Sequence, residues 1–72
     1  MTARHEQLFW WIYHYHRAHN FYPSQLEMIE GIGCGMTSLT KWLSQLEAMG
    51  YIERLPGRWR NVRIVKMMGS AA

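Results

Sequence analysis

Three glycines in five positions, Gly31, Gly33 and Gly35, separate two stretches with helical apolar spacing. Glycine tolerates positive φ and weakens a helix interior, so this run breaks the helix and allows a tight turn. Just before it, Ser24-Gln25-Leu26-Glu27 forms a capping box. The serine hydroxyl accepts the N–H three residues on, and the glutamate side chain reaches back. A helix therefore starts at Gln25 and stays short, with Leu26, Ile29 and Ile32 facing inward. After the glycines, Leu39, Leu43, Leu46 and Met49 or Ala48 mark the buried stripe of a further helix. That helix runs from Met36 or Thr37 to Met49, with Trp42 on its flank.

Thr2 can cap an earlier helix, from about Ala3 to His19. Its apolar stripe is Leu8, Phe9, Ile12, Tyr15 and His16, with Trp10, Tyr13, His14 and Arg17 on the other side. Asn20 is a plausible stop. Phe21-Tyr22-Pro23 reads as an extended link, because proline disfavours helix at the residue before it. Gly50 stands where a left-handed C-terminal cap belongs. Tyr51 to Leu55 reads as a strand and Val62 to Lys66 as its return. Pro56-Gly57 turns between them, and Arg58 to Asn61 can lengthen that turn. This gives one domain over 1–66 and a loose C-terminal tail over 67–72.

A chain of 72 residues is near the lower limit for independent folding, burying only about 60% of its unfolded surface. Its 49% hydrophobic content, with four Trp, four Tyr and two Phe, supplies a dense core and excludes a disordered chain. No apolar run approaches the roughly 18 residues of a membrane span. The first residues lack the basic-then-apolar layout of a signal peptide. The lone Cys34 excludes an internal disulfide framework, so a reducing, cytoplasmic setting is expected. The net charge of +3 is unevenly spread. Arg4 and Arg17 face Glu6, Glu27 and Glu30 in the first forty residues. Lys41, Arg54, Arg58, Arg60, Arg63 and Lys66 face only Glu47 and Glu53 in the rest. A cationic end suits a polyanionic partner such as nucleic acid, or serves simply as a solvated tail.

Helix, short helix, Gly-rich turn, helix and hairpin is the layout of a winged helix-turn-helix: mostly α, three helices plus a two-stranded wing. One helix fits the major groove of a duplex, and a hairpin beside it can reach the backbone or a minor groove. Thr2-Ala3-Arg4, Leu8-Phe9, Ile12, Tyr22-Pro23-Ser24, Glu27-Met28, Gly33, Leu43, Leu46-Glu47, Gly50-Tyr51-Ile52 and Arg54 occur in this order. In that ordered set the chain resembles the N-terminal DNA-binding domain of LexA-type SOS repressors, over about residues 2–66. It is more loosely similar to other bacterial winged-helix regulators. The resemblance implies a small transcriptional regulator of the repressor kind. Two departures limit it. The self-cleaving peptidase domain that dimerises the whole repressor has no counterpart, so no autoproteolysis is expected. The third helix begins differently, at Gly35-Met36-Thr37-Ser38, with one residue fewer before it, so the family's base contacts and target sequence do not carry over.

On the third helix, Thr37, Ser38, Thr40, Lys41, Ser44 and Gln45 lie off the apolar stripe. Their hydroxyl, amide and ammonium groups can meet base edges or phosphates, or form an ordinary solvated face. At the wing tip, Arg58 and Arg60 can hold phosphates or enter a narrow minor groove. Trp59 is expected to contribute less there. The plain alternative is a solubilising tip with Trp59 folded back on the core. Arg54 and Arg63 are placed to pair with Glu47 or Glu53.

The first helix needs one apolar face but carries Trp10, Trp11 and Tyr13 as well. Trp10 and Tyr13 are therefore candidate anchors for a homodimer or a protein partner, the alternative being packing on the C-terminal strand or tail. His5, His14, His16 and His19 cluster there, yet no Cys or Asp lies near enough to complete a zinc set, so no metal and no cofactor is expected. Cys34 has no positioned base, and no paired carboxylates or phosphate loop occur, so no enzyme is expected. Two functions compete: sequence-specific duplex DNA binding by a small regulator, for which the size suggests a phage origin, or a winged-helix module that binds and modulates a protein partner, for example as a phage-encoded inhibitor.

Overall fold

A computed structural model describes residues 3–69. The elements are α1 (Arg4–His19), α2 (Gln25–Ile32), α3 (Met36–Ala48), β1 (Ile52–Arg54) and β2 (Val62–Ile64). The two strands pair antiparallel, with Ile52 opposite Ile64, Glu53 opposite Arg63 and Arg54 opposite Val62. Three helices and one hairpin in this order make a winged-helix-like arrangement.

Each boundary has a local cause. Thr2, the expected cap of α1, lies outside the described residues. Ala3 occupies the cap position, and its N–H donates to Glu6 Oε1 at 3.1 Å. Asn20 ends α1 in the left-handed region at φ 66°, its N–H donating to His16 O. The box at α2 forms as the sequence predicts. Ser24 Oγ accepts from Glu27 N–H at 3.2 Å, and Ser24 N–H donates to Glu27 Oε1 at 2.8 Å. Beyond α3, Gly50 adopts φ 83°. Its N–H donates to Glu47 O and that of Tyr51 to Leu46 O, both at 3.0 Å. This paired motif satisfies carbonyls the helix end leaves open.

Leu8, Phe9 and Ile12 from α1, Met28 from α2 and Leu39, Leu43 and Leu46 from α3 meet Ile52, Val62 and Met68 in a single core. Each such side chain contributes about 1.5–3 kcal/mol on burial. Several inward assignments change. Leu26 is 52% exposed, while Met28 is fully buried. Met28, Ile29 and Ile32 form one face, and at 100° per residue Leu26 stands roughly a third of a turn away from it. Tyr15 and His16 reach only half burial. They stack instead on neighbours, His16 on Tyr22 at 4.1 Å and Tyr15 against His19 at 4.2 Å. Met49 and Ala48 lie outside the core, both exposed past the last buried leucine. Met68, which the sequence places in a loose tail, is buried in the core.

Of the three clustered glycines, only Gly33 has positive φ, at 80°, closing α2. Gly31 lies inside α2, where the indole of Trp11 occupies the space of a side chain. A Cβ there would stand 2.0 Å from Trp11 Cζ2. This close approach seats α2 on α1.

Candidate nucleic-acid interface

The leucine stripe of α3 is completely buried. Its opposite face is consequently presented outward. Thr37, Thr40, Lys41, Ser44 and Gln45 are exposed, and Ser38 is half-buried. Lys41 makes no ion pair among the described residues. The cap residue of α3 is Gly35, which has no side chain to satisfy the first-turn N–H groups.

A second cation reaches this face from outside the helix. Arg54, on β1, donates through Nη2 to Thr40 O at 3.2 Å and Ser44 Oγ at 3.0 Å. Its Nε lies 3.8 Å from Glu47 Oε1. Of the two carboxylates the sequence offers, Glu47 and Glu53, Arg54 takes Glu47 on α3, but the sequence gives no sign of its bonds to Thr40 and Ser44. Only the turn at Gly50, which sends β1 back beside the helix, creates those contacts. Arg63 pairs across the strands with Glu53 at 3.0 Å.

The two wing arginines serve different ends. Arg60 Nη1 donates to Glu27 Oε1 at 2.6 Å and to Tyr22 O at 2.9 Å, and its guanidinium lies 4.3 Å from the centre of the Phe21 ring. Hydrogen bonding from Arg60, then from the Ser24 backbone, holds the Glu27 carboxyl at about 2. The same bond to Glu27 pushes the Arg60 guanidinium up. Arg60 therefore fastens the wing to the start of α2. Arg58 is exposed and has no ion-pair partner among the described residues. Trp59 does not fold back on the core; it is 67% exposed. A groove of about 310 Å³ runs between wing and helices, lined by Gln25, Leu26, Met36, Arg58, Trp59 and Asn61.

The other candidates are largely occupied. Trp10 is half-buried against the core, edge-on to Phe9 at 5.1 Å and to Tyr13 at 5.5 Å. Arg17 covers the Tyr13 ring and donates to its hydroxyl at 3.1 Å. Cys34 is half-buried against the core. Among the described residues, no three His, Cys, Asp or Glu side chains converge. None of the described helices is long and apolar enough to cross a membrane. No protein-family model matches this sequence, and no curated protein matches it either.

Proposed function

We propose that the chain binds double-stranded DNA as a small transcriptional regulator, with α3 in the major groove and the wing on the backbone. The observation that carries this reading is the exposed polar face of α3, backed by a fully buried leucine stripe. A helix held from behind and polar in front fits a groove lined with hydrogen-bonding base edges. Thr37, Ser38, Thr40, Ser44 and Gln45 supply donors and acceptors. Lys41 and Arg58 neutralise phosphates, and Arg54 adds a positive charge beside Ser44. Arg60 acts by holding the wing in place. The resemblance to LexA-type repressors points the same way, and a regulator of this kind works in the cytoplasm. Its role is binding rather than catalysis. If two copies pair through α1, half-sites about one helical turn apart suit the dimer.

Fluorescence anisotropy on mixed-sequence duplexes across a salt series tests this. K41A and R58A should each weaken binding and reduce the salt slope by about one. Absence of duplex binding at low salt refutes it. The second reading is a protein-binding module, and one observation favours it: Leu26, Met36 and Trp59 expose apolar surface around the same groove.

A further inference from the structure

We propose that Trp59 is a wedge that enters the minor groove of a bound duplex, while Arg58 meets the adjoining phosphate. This rests on the DNA-binding reading above and adds to it the way the wing engages the duplex. Trp59 is the most exposed of the large apolar side chains described, at 67%. It lines one groove with the exposed Leu26 and Met36, an apolar patch of the kind that marks a binding surface. The chain around it is held. Arg60, the next residue, is fixed by Glu27, the Tyr22 carbonyl and the Phe21 ring. Asn61 O accepts from Leu55 N–H at 2.7 Å across the base of the loop, and Gly57 turns the loop at φ 80°. Ordering this short loop is therefore largely complete before any partner arrives, which favours tight contact.

Charge and position select the partner. Arg58 flanks the indole, and the sequence holds no acid after Glu53. Glu27 and Arg60 cancel beside the indole, so Arg58, unpaired among the described residues, leaves the tip with a net positive charge that attracts an anion. The groove under Trp59 is also lined by Met36, the first residue of α3. A duplex seated on α3 consequently brings its backbone and the neighbouring minor groove to the wing tip. Apolar side chains inserted there part a base step and kink the duplex. The indole carries no charge, so its contact releases no counterions.

The test uses the full chain, a duplex chosen by selection with wild-type protein, and fluorophores at both duplex ends. W59A should lower affinity about tenfold with an unchanged salt slope, and should abolish the shortening of the end-to-end distance. W59F should keep most of both. R58A should lower the salt slope by about one and leave the kink. A W59A variant that binds and bends the duplex like wild type overturns the wedge and leaves the DNA reading intact. A wild-type chain that captures no duplex at low salt overturns both.

Discussion

Replacing Gly31 by alanine should destabilise the fold, although alanine is the better helix former. A Cβ at residue 31 would lie 2.0, 2.5 and 2.8 Å from Trp11 Cζ2, Cε2 and Nε1. No contact that short is tolerated, so the indole must move. It is half-buried and lies against Tyr15 at 5.3 Å between ring centres. Overpacking of this kind costs about 1–3 kcal/mol. The helix-propensity gain of alanine over glycine is about 1 kcal/mol. The clash wins, and G31A should lose about 1 kcal/mol, or about 4–8 °C in Tm for a domain of this size. In a W11A background the clash is gone, and the same change should raise stability by up to about 1 kcal/mol. The two substitutions should thus show a coupling of about 2 kcal/mol in a double-mutant cycle. Thermal and urea unfolding followed by circular dichroism measure all four proteins. Equal stabilisation by G31A in both backgrounds would refute the claim that Trp11 and Gly31 are matched.

Three further outcomes follow from the same structure. The Glu27 carboxyl ionises near 2 rather than at its ordinary 4.5. The stabilisation it gives is therefore complete above the ordinary value and is lost as pH falls from there to about 2. The stability gap between wild type and E27Q should be flat near neutral pH and shrink over that acid window in unfolding curves. S24A removes the acceptor that caps α2 and should lower stability by about 1 kcal/mol in urea titrations. R54A breaks a partly exposed ion pair, so its unfolding free energy should change by less than about 1 kcal/mol. Its duplex affinity should fall all the same in anisotropy measurements.

The elements were readable from the sequence because their signals are local. Ser24 and Glu27 are three residues apart, Gly50 follows directly on α3, and Leu39, Leu43 and Leu46 repeat at helical spacing. What could not be read depends on distance or on excess. In α2, Leu26, Met28, Ile29 and Ile32 offer apolar groups on more than one side, so period alone does not choose the buried face. Helix α1 carries aromatics nearly all round, and the groove that receives Trp11 exists only because Gly31, twenty positions on, lacks a side chain. Arg60 and Glu27 are 33 residues apart. Their pairing, which takes one expected phosphate contact out of the free set, arises only once the wing is folded. The exposed polar face of α3 was therefore legible, and the arrangement of the wing only partly so.

The bond from Arg60 to Glu27 joins the far end of the hairpin to the start of α2, while the turn at Gly50 joins its near end to α3. The hairpin is thus secured at two places, like a jaw with a set opening. A jaw that does not flex accepts only partners whose own dimensions match it. If the partner is a duplex, as proposed, selectivity resides in how its grooves are spaced and how readily it bends, ahead of any reading of individual bases.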